Sequence, residues 1–183
     1  EPSGPAADAR VRSWVVDFRA LPALPAADGA LCALGTTIKA AGSQAAFRAV
    51  DHDAVLAFAR AARDAGASRF GLVSALGADA RSRVFYNRVK GETEDAVRAL
   101  GFTTLVIARP SLLLGDRRAL GQPARRGEAL GQRLAAPLGA LLPAAWRPIE
   151  AQVVACALLR SLATAGAGVQ VLESGRLHEL GAP

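Results

Sequence analysis

The stretch FGLVSALGADARSRVFYNRVKGETED, residues 70–95, decides the fold. It opens on an apolar run of strand character, turns at Gly77 and continues as a helix. Ser74 stands at the strand end. Tyr86 and Lys90 follow four residues apart, which puts both side chains on one helical face, one turn apart. The turn between them and the strand leads the tyrosine back toward Ser74. A hydroxyl, a phenol and an ammonium at the carboxyl end of a buried strand can carry out acid–base chemistry on a carbonyl. The same residues also fit a solvated Tyr–Lys pair on an amphipathic helix.

Composition sharpens the motif. Tyr86 is the only tyrosine, and Lys39 and Lys90 are the only lysines among 22 basic residues. Random placement would put a lysine four residues after that tyrosine roughly 1% of the time, so the match exceeds an ordinary short motif. Arginine could not substitute, because it never loses its proton and presents a broad fork rather than a point charge. An ammonium beside a phenol favours the phenolate, so the expectation is a lowered Tyr86 pKa.

The segment resembles the active-site segment of the short-chain dehydrogenase/reductase superfamily. The words CALGTT at 32–37, AGSQAAFRAVDHDAVL at 41–56, LVSALGAD at 72–79, YNRVKGETE at 86–94 and RPSLLLGDR at 109–117 narrow the resemblance. Together they are similar to the atypical, extended-type branch that includes the Tat-interacting-protein oxidoreductase-like proteins and bacterial relatives. The resemblance runs from about Val15 to Gly181. It implies an α/β fold: a Rossmann-type, doubly wound parallel sheet in one NAD(P)-binding domain over 1–183. Residues 109–183 would include a small substrate-side region. It implies catalytic roles for Ser74, which would polarise the substrate oxygen, Tyr86, the proton donor or acceptor, and Lys90, which would hold the nicotinamide ribose and tune the tyrosine. The implied cofactor is NADP or NAD. The alternative on the same fold is a catalytically inactive NAD(P)-sensing or protein-binding module.

At 183 residues the chain has the length of one domain, and 51% hydrophobic residues with only 5% aromatic predict a core of small aliphatics. Cys32 and Cys156 lie in apolar segments, which argues against a disulfide framework and for a reducing cytoplasm. No uncharged apolar run reaches the length of a membrane span, and Glu-Pro-Ser-Gly-Pro is not a secretory start, so no membrane partner is expected. The net charge of +6 raises nucleic acid as a partner. Much of the excess lies at Arg109, Arg117, Arg118, Arg125, Arg126 and Arg133, with Asp116 and Glu128 opposing. No aromatic interleaves with them to stack bases, so no specific nucleic-acid complex is expected. The cluster is either a solvated loop or an anion site. The expected partners are a small-molecule substrate and, as one option, a second copy of the chain in a homodimer.

WVVDF at 14–18 reads as a buried strand. The resemblance implies that Asp17 and Phe18 at its end meet the adenine; Asp17 could equally cap the following turn. Residues 30–34 form the next expected strand, ending in Gly35-Thr36-Thr37, where backbone can approach a cofactor ribose or phosphate, or simply turn. In a long helical region Ser43 can cap a short helix, and Val50, Ala54, Phe58, Ala61, Ala62 and Ala65 form an apolar stripe with Gly66 as its stop. Asp51 or Asp53 would favour that helix start. Adjacent His52 lacks the further ligands a metal site needs. A strand over 103–108 ends at Pro110, which the resemblance implies as a nicotinamide contact. A basic loop at 115–128, a helix at 129–142, a helix at 150–162 and a strand at 169–172 complete the expected alternation.

The glycine-rich phosphate turn of such folds has no counterpart in these residues. In the usual strand order two strands would separate 14–18 from 30–34 by about 14 Å, three steps of strand spacing. The expectation is therefore an upstream unit of roughly 40–50 residues carrying that turn.

Overall fold

The chain is described by a computed structural model over residues 11–114 and 143–182. Its centre is four parallel strands, β1 (Gly29–Cys32), β2 (Arg69–Val73), β3 (Thr104–Arg109) and β6 (Gly168–Glu173), in the order β1-β2-β3-β6. The strands run in register, Ala30 beside Phe70, Phe70 beside Leu105 and Leu105 beside Val169. A short parallel pair, β4 (Leu113–Leu114) and β5 (Ile149–Glu150), stands apart from this sheet.

Side chains alternate across each strand, so the sheet sends one apolar set to each face. Phe70, Leu72, Leu105 and Ile107 face α3 (Val55–Asp64) and the helix α4 (Phe85–Arg98), packing with Val55, Ala59, Ala62 and Val97. Val106, Ala108 and Leu172 face α5 (Ala151–Thr164) and α6 (Ser174–Gly181), packing with Val154, Leu158 and Leu177. Each fully buried ring or aliphatic side chain contributes about 1.5–3 kcal/mol relative to exposure. Helices on both faces of a parallel sheet make the Rossmann-type, doubly wound fold expected from the sequence. Gly71 lets the layers close: a Cβ there would lie 2.4 Å from Leu31 Cδ2 and 3.3 Å from Leu158 Cγ.

The helices start and stop for local reasons. Thr37 Oγ1 accepts from Ala40 N to cap α1 (Ile38–Ala41), and Ser43 Oγ accepts from Ala46 N to cap α2 (Gln44–Arg48). A π-helical turn, Ala49–Ala54, joins α2 directly to α3. Gly66 and Gly101 follow α3 and α4 in the left-handed region, at φ 98° and 69°.

Residues 14–18 do not form the expected strand. Val15 is fully exposed and Trp14 is 55% exposed. Asp17 instead accepts from the backbone and side chain of Arg19 in a surface turn. An apolar run becomes a strand only beside a strand it can pair with, and β1 pairs with β2 alone among the described residues. α6 was not anticipated, nor was the β4–β5 pair. The expected basic loop and the helix at 129–142 lie outside the described residues.

Candidate active site

Three strand ends assemble the site. β1 leads into Leu34 and Gly35, β2 into Ser74, and β3 into Pro110. The Ser74 N–H donates to Ala108 O at 2.8 Å, and Leu76 N–H donates to Pro110 O at 2.9 Å, so the Ser74 loop is stitched to the end of β3. Ser74 and Pro110 are both buried. Ser74 Oγ has no hydrogen-bond partner among the described residues. A buried hydroxyl without a partner is uncommon and calls for an explanation.

The loop after Ser74 carries the chain to α4. Gly77 turns at φ 77°. Asp79 N–H donates to Asn87 O at 3.0 Å, which lays the loop along the helix. Contact is closest at Gly91, where a Cβ would fall 2.1 Å from Ala80 N. Tyr86 lies in the first turn of α4, half-buried, its ring 5.4 Å from that of Phe47 on α2. Lys90 lies one turn further and is buried. The expected helical juxtaposition of Tyr86 and Lys90 is present. No hydrogen bond links the Tyr86 hydroxyl to Ser74, whose Oγ has no partner.

Lys90 is engaged elsewhere. Its Nζ lies 2.7 Å from Asp51 Oδ1, and the Asp51 side chain is fully buried. The contact is ionic: Oδ1 makes no well-directed hydrogen bond. Asp51 Oδ2 accepts from Thr36 N at 2.8 Å. Thr93 Oγ1 donates to the Asp51 carbonyl at 2.9 Å, anchoring the π turn onto α4. Gly35 passes beside the pair; a Cβ there would be 3.4 Å from Asp51 Oδ1 and 3.6 Å from Lys90 Nζ. So Gly35 and Thr36 do converge with Lys90, and Thr37 caps the next helix.

This arrangement reverses one expectation. The Tyr86 pKa stands above its ordinary value, not below: burial penalises the phenolate first, and the Asp51 carboxylate adds to the effect. Burial likewise pushes the Cys32 thiol up, against a hydrogen bond from Leu34 and the Lys90 charge that favour the thiolate. Asp17 is exposed and bound to Arg19, and it has lost the strand end that suggested an adenine contact.

The sequence reading missed Asp51 and Glu94. Asp51, one of the two acids expected to favour the helix start, instead occupies the buried row Phe47, Asp51, Val55, Ala59. Glu94 is buried against Arg98 and Arg109, with Arg109 reaching it at 2.7 Å and Glu173 at 3.0 Å. These carboxylates hold the Arg109 guanidinium charged. A cavity of about 550 Å³ opens beside them, lined by Asp79, Arg81, Gly91, Glu94, Arg98 and Arg109. Its arginines are paired with carboxylates, so it offers no free anion site. Among the described residues no three His, Cys, Asp or Glu side chains gather as metal ligands.

No family model matches the chain. Protein HTATIP2 of Rattus norvegicus is 37% identical over 179 residues, spanning 93% of this chain and 70% of that protein. The chain belongs to the HTATIP2 family of atypical short-chain dehydrogenases/reductases. The chain is also similar to fungal proteins: "Protein fmp52, mitochondrial" of Emericella nidulans is 42% identical over 126 residues, 69% of this chain. The chain spans about half the length of that relative, 52%. Among solved structures, MoeE5 in complex with UDP-glucose and NAD matches 86% of this chain and 60% of that one, at TM-score 0.62 and 14% identity. RMD from Pseudomonas aeruginosa complexed with NADPH matches 80% of this chain and 59% of that one, at TM-score 0.54 and 19% identity. These likenesses confirm the Rossmann-type fold. No described helix is long and apolar enough to cross a membrane.

Proposed function

We propose that the chain binds a nicotinamide dinucleotide, NADP or NAD, at the carboxyl ends of β1, β2 and β3, and reduces a carbonyl group on a small molecule. The observation that carries this reading is Ser74 Oγ, a buried hydroxyl with no partner among the described residues, at the start of the loop that rests on the helix carrying Tyr86 and Lys90. A substrate oxygen would satisfy it. The solved structures of this fold held NADPH or NAD, which supports the cofactor class.

When bound, a reduced nicotinamide supplies a hydride to the carbonyl carbon. Ser74 donates a hydrogen bond to the carbonyl oxygen, and Tyr86 gives that oxygen its proton, leaving an alcohol. A phenol kept neutral suits a proton donor. Lys90 holds ribose hydroxyls, with Gly35-Thr36-Thr37 and Pro110 flanking the nicotinamide half. Asp17 and Phe18 have no geometric support as adenine contacts. The free thiols of Cys32 and Cys156 suit a reducing compartment such as the cytoplasm.

The test is nucleotide binding by calorimetry, followed by reduction of a carbonyl panel. Tyr86→Phe should lower turnover by about 10²–10⁴-fold with binding retained. Unchanged turnover would remove the catalytic assignment. The Lys90–Asp51 pair supports a second reading, because it withholds the lysine charge from the tyrosine. A nucleotide-sensing module without turnover would then show binding and no reduction of any carbonyl.

A further inference from the structure

Asp51 does more than neutralise a lysine. Its two carboxylate oxygens reach two different elements, Lys90 on α4 and the Thr36 N–H after β1. Its own backbone is tied to α4 through Thr93. It sits in a π turn, a rare geometry that recurs at functional sites. Gly35, itself exposed and lacking a side chain, is the residue that covers the buried carboxylate–ammonium pair: a Cβ there would lie within 3.6 Å of both groups.

We propose that Asp51 is a positioning residue that latches Lys90: one oxygen holds the ammonium, the other holds the Gly35–Thr36 turn, and the lysine charge stays neutralised until ligand hydroxyls enter past Gly35. This rests on the roles given above to Ser74, Tyr86 and Lys90. Burial keeps the Tyr86 phenol protonated, and the Asp51 carboxylate adds to that, so the latched site presents a proton donor. The groups facing this corner are Asp51 from the π turn, Lys90 from α4 and Cys32 from β1; Arg48 and Glu92 pair with each other nearby.

The chain itself provides the readout. Tyr86 is its only tyrosine, so the ultraviolet change on phenolate formation reports this one residue without any substrate. Asp51→Asn keeps the shape and an acceptor for Thr36, and removes the negative charge. The Tyr86 titration midpoint should fall. Lys90→Gln leaves the carboxylate unneutralised, and the midpoint should rise. Circular dichroism establishes that each variant is folded, and if Asp51→Asn does not fold, Lys90→Gln decides by its sign. A midpoint that stays put or moves the opposite way in a folded variant overturns the latch. Nucleotide binding is measured separately on the unaltered chain. Its absence would overturn the proposed function, while the titration would still decide the role of Asp51.

Discussion

Lys90 Nζ lies 2.7 Å from Asp51 Oδ1, and neither side chain is more than 7% exposed. Two charges brought together out of water depend on one another, because either alone would be a buried, unpaired ion. Asp51→Ala should therefore cost on the order of 3–5 kcal/mol, read as a lower urea midpoint. Lys90→Met should cost a comparable amount. The double variant Asp51→Leu/Lys90→Met should recover much of the loss, since neither ion is then stranded. Strictly additive losses would show that the two residues are not coupled.

Ser74 should separate stability from activity. Its hydroxyl is buried without a partner, so Ser74→Ala removes an unsatisfied polar group rather than a bond. The unfolding free energy should stay the same or rise slightly. Carbonyl reduction should fall. A large loss of stability would mean that Ser74 Oγ has a structural partner in solution.

Alkaline pH should weaken the fold through two groups. Cys32 and Tyr86 have ordinary pKa values of 9.0 and 10.0, and burial raises both in the folded chain. The unfolded chain therefore loses these protons first. Stability from the two groups is fully present below pH 9 and is lost as pH rises through the folded values. Cys32→Ala should flatten the first part of that decline, and Tyr86→Phe the later part. Urea midpoints measured from pH 8 to 11 would check this, and a variant profile parallel to the original would refute it.

Glu94 should prove essential to the fold but not to proton transfer. It is buried between Arg98 and Arg109, and Arg109 carries the contact on to Glu173. Glu94→Ala leaves two guanidinium groups without their shared acceptor, at a cost of about 3 kcal/mol or more. Thermal melting should register the loss. The Tyr86 titration midpoint should stay in place.

Much of this fold was legible in the sequence because a parallel sheet covered on both faces makes its strands nearly all apolar. The strands β1, β2 and β3, the turn at Gly77 and the helical pairing of Tyr86 with Lys90 followed from that pattern. Trp14–Phe18 shows its limit. The run is as apolar as a strand, but pairing is a property of neighbours, and no strand lies beside it among the described residues. Asp51 fell to a different cause. Sequence periodicity assumed an uninterrupted α-helix and put the apolar row at Val50, Ala54 and Phe58. The π turn over Ala49–Ala54 puts Phe47, Asp51, Val55 and Ala59 in the buried row, while Phe58 and Ala62 of the expected stripe still pack on the core. The partner of Lys90 was therefore hidden by one turn of irregular backbone. The raised Tyr86 pKa was missed with it.

At Gly91 the chain uses a missing atom as a spacer. The loop that begins at Ser74 rests on α4 where a methyl group would meet Ala80 N at 2.1 Å and the Asp79 backbone at 2.2 Å. How far Ser74 stands from Tyr86 is thus gauged by two backbones touching, with no side chain between them to adjust. Even alanine at 91 would act as a shim, lifting the loop from the helix and carrying the serine away with it. Alignment of the site and closure of the fold are here one and the same fit, so neither can be tuned at this residue without the other.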